Sequence, residues 1–139
     1  MSTPHDPELV AERRAWLVRA RRDHGAAAHE LLAEPPFLAD VVFHAQQEAE
    51  KALKAFLTWH STLFRKSHNI EELGEQCLGI DASLGDVVEQ AVPLTKYVWM
   101  YRYPGDPEEP EPAEAEEAPT TAGAVLEAVV KRLPIEVRP

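Results

Sequence analysis

Val42-Phe43-His44-Ala45-Gln46-Gln47-Glu48-Ala49-Glu50-Lys51-Ala52-Leu53-Lys54-Ala55-Phe56 sets Val42, Ala45, Ala49, Ala52, Leu53 and Phe56 at intervals built from three and four. That spacing gathers side chains on one side of an α-helix. A helix is therefore predicted from Asp40, or a residue just before it, continuing towards Leu63. The alanines at 45, 49 and 52 permit close approach of a neighbouring helix, while larger side chains at both ends fill a core. Leu, Ala and Val dominate an apolar content of 45% and Gly is scarce, which favours helices in the rest of the chain too.

On the N-terminal side, Leu9, Trp16, Ala20, Ala27 and Leu31 keep helical spacing between Asp6 and Ala33, and Pro35-Pro36 closes that first helix. On the C-terminal side, Asn69 and Glu72 form a capping-box pattern that opens a short helix over about 70–78, with Gly79 as its stop. A fourth helix is predicted from Ala82 to Arg102, broken or kinked near Ala91 because Pro93 removes one internal hydrogen bond. Residues 104–119 hold five prolines and seven acids, and read as a mobile acidic loop. Thr120 or Thr121 would cap a last helix ending at Leu133. The expected architecture is one all-α domain over residues 1–139, an up-and-down bundle of about five helices whose third is short. A chain of this length can bury one core without staples.

Cys77 stands alone, so no internal disulfide can form and nothing points to an oxidising compartment; a cytoplasmic location is expected. Met1 to Pro7 has neither a basic start nor an apolar run, and no stretch approaches the ~20 apolar residues of a membrane span. The formal charge of −10 divides into −4 over residues 1–102 and −6 over residues 103–139. Net acidity argues against bulk, sequence-independent nucleic-acid binding, which draws its affinity from clustered cations. A local basic patch is open to Arg13, Arg14, Arg19, Arg21 and Arg22.

Three segments carry a resemblance to a known family. Phe43 to Lys54 looks like the signature helix of HEPN domains (higher-eukaryote and prokaryote nucleotide-binding), a Phe-His-Ala-Gln-Gln run leading into Glu-Lys-Ala-Leu-Lys. Lys66-Ser67-His68-Asn69-Ile70 resembles the family's Lys-Thr-His-Asp-Leu segment, and Tyr97 to Pro104 its Tyr-x-x-x-x-Arg-Tyr-Pro ending. The chain departs from the family in its longer acidic Pro-rich insertion after Arg102 and in Gly105 before Asp106. The resemblance implies a helical bundle that pairs into a homodimer and binds nucleotides or RNA in some members. It also implies a setting beside a minimal nucleotidyltransferase in toxin–antitoxin operons.

Active ribonucleases of the family carry an Arg-x4–6-His motif. Arg102 is the counterpart here, but Pro107, Glu108 and Glu109 stand where the His would fall, and no His follows His68. Cleavage through a 2′-hydroxyl needs a base near its own pKa and a cation for the phosphorane charge, roles His and Arg fill. The spacings Arg19 to His24 and Arg22 to His29 lie on the first helix, away from the family's motif position, and read as incidental.

His44, Gln47, Glu48 and Lys51 share one helix face, at i, i+3, i+4 and i+7, and could meet a nucleotide or a facing subunit; the plainer alternative is a polar dimer seam or a solvated face. Arg102 could fork onto phosphate and Tyr103 stack on a base; alternatively, Arg102 pairs with a carboxylate and Tyr103 packs beneath the acidic loop. His68 is expected to hydrogen-bond a helix terminus, Lys66 to be exposed, Cys77 to be buried, and Trp16, Trp59 and Trp99 to face inwards. His44 and Glu48 have the spacing of metal ligands but no third partner, so neither metal nor cofactor is implied. The sequence thus predicts a homodimeric binding module, nucleotide-binding or toxin–antitoxin-associated, without the family's ribonuclease motif. Two alternatives stand beside it: an atypical ribonuclease toxin using Arg102 with a His from another helix, and a partner of a minimal nucleotidyltransferase that docks through the acidic 104–119 segment.

Overall fold

In the computed structural model, which describes residues 6–105 and 108–139, every regular element among the described residues is helical. Helix α1 spans Pro7–Leu32, α2 Leu38–Trp59, α3 Ile70–Ile80, α4 Gly85–Ala91 and α5 Pro112–Lys131; short 3-10 segments occupy Ala82–Leu84, Val92–Val98 and Ile135–Val137. Asp6 caps α1 by accepting from the Glu8 N–H, and Pro7 follows at the first helical position, where an N–H has no use.

The bundle is organised around α2, which packs against α1, α3, α5 and the 92–98 segment. Ala45, Ala49, Ala52 and Ala55 are fully buried, so the alanines do admit neighbouring backbones at close range. Leu17, Ala20 and Ala27 from α1, Ile70 and Leu73 from α3, and Val125 and Val129 from α5 complete the core with Leu53 and Phe56. Trp16 and Trp59 lie half-buried against it.

Several expectations are corrected. Helix α2 begins at Leu38 and ends at Trp59, short of Leu63; Ser61 takes a positive φ of 54°, turning the chain away and leaving Leu63 92% exposed. Helix α3 runs through Gly79 to Ile80, and Asp81 then caps the following 3-10 turn by accepting from the Ser83 N–H. Asn69 caps α3 as expected, accepting from the N–H groups of Glu71 and Glu72. Glu72 does not complete a capping box: it accepts from Arg65 and Ser67, and the Ser67 Oγ takes the Asn69 N–H instead.

The expected fourth helix is α-helical only over Gly85–Ala91, so the break does fall at Ala91; Pro93 sits inside a 3-10 segment that needs fewer α-type bonds. Trp99, just past that segment, is 57% exposed rather than inward-facing.

The largest correction concerns the acidic segment. Helix α5 starts at Pro112 rather than at Thr120 or Thr121, so the connecting stretch ends at Glu111; the part of that expectation falling on Asp106 and Pro107 lies outside the described residues. Pro112 at the helix start loses no bond, and acids near it favour the positive end of the helix dipole. Ala115, Ala118 and Ala122 bury one side, which offsets the single bond forgone at Pro119.

At Gly74 helix α3 lies close against α4. A Cβ there would stand 2.4 Å from Val88 Cγ1 of α4. Gly74→Ala is therefore expected to destabilise by about 1–3 kcal/mol through overpacking, although alanine is the better helix former by ~1 kcal/mol. Urea denaturation checks this: an unchanged midpoint would mean that α3 and α4 separate freely.

Candidate functional site

Between Leu38 and Leu57, α2 is buried except along one stripe: Asp40, Phe43, His44, Gln47 and Lys51, with Ala39 beside it. These positions fall at i, i+3, i+4, i+7 and i+11, the one side of the helix not covered by neighbours. Three of the four residues expected on a shared face, His44, Gln47 and Lys51, do lie there.

One flank of the stripe is α1. His44 Nδ1 is 2.6 Å from Glu30 Oε1, and Lys51 Nζ donates to Asp23 Oδ2 at 2.6 Å. Gln47 donates to Gln46 Oε1 at 2.7 Å. The Glu30 contact fixes the His44 ring through one nitrogen and leaves the other for a ligand.

The other flank is the chain after the 92–98 segment. Tyr101 adopts a left-handed φ of 65°, and Arg102 then lies with its guanidinium carbon 3.5 Å from the centroid of the Phe43 ring. Phe43 and His44 rings are 5.5 Å apart. Arg102, Phe43, His44 and Glu30 thus form one continuous surface. Arg102 makes a cation–π contact with Phe43, and the ion pair with a carboxylate is not among the contacts of the described residues. Stacking on a ring face leaves the N–H edges of the guanidinium available to fork onto phosphate. Tyr103 is 65% exposed instead of packed beneath the acidic segment, and is free to stack on a base.

Glu48 leaves the group. One residue further round the helix than Gln47, it is wholly buried, with its two oxygens 3.0 and 3.1 Å from His24 Nδ1 of α1. Burial, with Asp23 as a second cause, pushes its carboxyl up to about 8. His44 and Glu48 consequently serve different partners. Among the described residues no three His, Cys, Asp or Glu side chains are placed to hold a metal.

Glu50 is the second buried acid that sequence reasoning missed. It accepts from Gln46, Lys54 and the His68 ring, so His68 reaches a buried carboxylate rather than a helix terminus. Gln46 also donates to the His68 carbonyl, tying the loop before α3 to α2. Lys66 is exposed. Cys77 is buried, and burial raises its thiol to about 12, which keeps it protonated and unreactive.

The family model described as HEPN domain matches residues 13–133. No curated protein matches the chain. A solved structure, the crystal structure of TT1696 from Thermus thermophilus, superposes with a TM-score of 0.75 at 34% sequence identity, covering 87% of this chain and 98% of that one. Among the described residues no helix is long and apolar enough to cross a membrane.

Proposed function

Because this chain belongs to the HEPN domain family, we propose that it is a cytoplasmic, homodimeric binding module, nucleotide-binding (ATP or RNA) or toxin–antitoxin-associated, without the family's ribonuclease activity. The observation that carries this reading is Arg102 laid on the Phe43 ring beside a His44 ring oriented by Glu30. Phosphate meets the Arg102 fork, a base stacks on Tyr103, and His44 contributes one hydrogen bond. Gln47 and Lys51 extend the same stripe and serve either the ligand or the facing subunit; Lys51 must then exchange its Asp23 partner, which keeps that end selective. The absent ribonuclease role rests on Glu108 and Glu109, both exposed, standing where a His would be needed. The cytoplasmic setting rests on the lone, buried thiol of Cys77.

Calorimetric titration with ATP and with a short single-stranded RNA tests the site. Arg102→Ala is expected to weaken binding about tenfold or more, corresponding to ~1.4 kcal/mol, and His44→Ala to weaken it less. Affinity unchanged in Arg102→Ala would refute the site, and a monomeric mass in solution would refute the dimer.

The adjacency of His44 and Arg102 through Phe43 favours one further reading, an atypical ribonuclease in which these two groups supply base and cation. RNA cleavage by the purified protein, abolished by either substitution, would replace the binding-only reading with this one. The nucleotidyltransferase-partner reading is supported by exposed Glu108, Glu109, Glu111, Glu116 and Glu117 around the start of α5. Unchanged affinity for such a partner after all five are replaced by Gln would remove it.

A further inference from the structure

A separate cavity of about 820 Å3 opens between α1 and α5, with Glu48 of α2 at its floor. Its size falls within the ~300–1,000 Å3 usual for small-molecule sites. The Glu48 side chain is fully buried and clamps the His24 ring through Nδ1, while the His24 side chain remains 49% exposed and turns towards the opening. A Cβ on Gly123 would stand 3.4 Å from His24 Cε1 and 4.0 Å from Glu48 Oε2, so the missing side chain in α5 keeps the pair open to the cavity.

Two chemistries line the rest. Arg21 of α1 and Arg138 near the last 3-10 turn place two guanidinium groups at the rim, beside the apolar surface of Pro119, Leu126 and Val130. Arg21 donates through one nitrogen to the Pro139 carbonyl, and Arg138 through Nε to the Leu133 carbonyl, so each keeps further N–H groups to offer. Glu127, at the rim, is paired with Lys131 at 3.0 Å. Burial and Asp23 hold a proton on Glu48 up to about pH 8, so the floor does not repel negative charge at neutral pH.

We propose that this cavity binds a small organic anion with an apolar body, an aromatic or branched carboxylate or sulfonate. The anionic group is held between Arg21, Arg138 and His24, and the hydrocarbon rests on Leu126 and Val130. The site is independent of the Arg102 surface and stands or falls separately from it.

Anilinonaphthalene sulfonate serves as the probe, its fluorescence titrated against the full chain and displaced by phenylpropionate. Saturable binding of one probe per chain is expected, weakened about tenfold or more in the Arg21→Ala, Arg138→Ala double variant and unchanged in Arg102→Ala. Ala124→Trp, at an exposed α5 position on the cavity wall, is expected to retain the helical circular dichroism spectrum and to exclude the probe. Non-saturable binding, no displacement by phenylpropionate, or indifference to the arginine substitutions would overturn the proposal. So would a change of mass in solution in Ala124→Trp with probe affinity intact, since the cavity would then be a contact between copies of the chain.

Discussion

Glu50→Ala is expected to destabilise the protein by about 3–5 kcal/mol, the range for breaking a buried ion pair from one side. Glu50 is 3% exposed, and its Oε1 lies 3.1 Å from Gln46 Nε2 and 2.9 Å from His68 Nδ1, while Oε2 takes Lys54 Nζ at 2.9 Å. Lys54 is itself 7% exposed, with its ammonium 5.6 Å from the Trp16 ring and 5.7 Å from Phe64. Truncating Glu50 strands that buried ammonium and takes one of the two acceptors of the Gln46 amide, the other being the His68 carbonyl. Against a total stability of ~5–15 kcal/mol for a domain, the loss is decisive. The double variant Glu50→Leu, Lys54→Met removes both charges and is expected to recover most of the stability, because a buried pair often has apolar equivalents of similar worth. Urea denaturation of the three proteins makes the comparison. A Glu50→Ala loss below about 1 kcal/mol would show that water reaches Lys54 and that the pair behaves as a surface one.

The bundle is legible in sequence where burial is one-sided and the residues large. Val42, Ala45, Ala49, Ala52, Leu53 and Phe56 reveal α2 because their period matches the helix and they all end buried. Helix α5 is legible in sequence only from Thr120 or Thr121 onward, although it starts at Pro112. Its first two turns bury Ala115 and Ala118 at helical spacing, but these small side chains sit among Glu and Pro that composition assigns to loops. The dipole preference for acids at a helix start makes the same glutamates compatible with helix, a distinction composition does not carry. Trp99 is misplaced by periodicity because the 3-10 geometry of Val92–Val98 turns each residue by more than an α-helix does, so α-spacing carried past Pro93 assigns the wrong side.

The candidate surface is legible in its α2 half. Periodicity locates His44, Gln47 and Lys51 on one side of α2 but says nothing of which helix lies across from them; Glu30 and Asp23 become visible only with the packing of α1. Arg102 stands out through its resemblance to the family's ending, whereas its seat on Phe43 is a tertiary fact that local pattern does not carry. Sequence pattern turns Glu48 outwards because an isolated buried carboxylate is costly. The structure reverses that assignment by supplying His24 from another helix, and His68, one of the partners of Glu50, is likewise distant in sequence.

Stability is expected to fall as pH rises between about 5 and 8, with Glu48 as the chief titrating group. Its carboxyl is raised from 4.5 to about 8 by burial and then by Asp23, so across that interval the native state holds a proton that the unfolded chain has released. Unfolding releases that proton, and each step up in pH favours it; the contribution is fully present below the unfolded pKa and gone above the native one. Glu48→Gln keeps an oxygen that can accept from His24 and cannot ionise, so its stability should lose this slope. Relative to the unsubstituted protein, the variant should gain on the order of 1–3 kcal/mol from pH 5 to pH 8, a value discounted from the full shift because half-exposed His24 admits water beside the pair. Asp23→Asn removes the second cause and should move the steep region to lower pH, although it also frees Lys51 and lowers stability overall. Urea unfolding at a series of pH values separates these effects. Parallel curves for Glu48→Gln and the unsubstituted protein would mean that the Glu48 carboxyl titrates alike in the folded and unfolded chain.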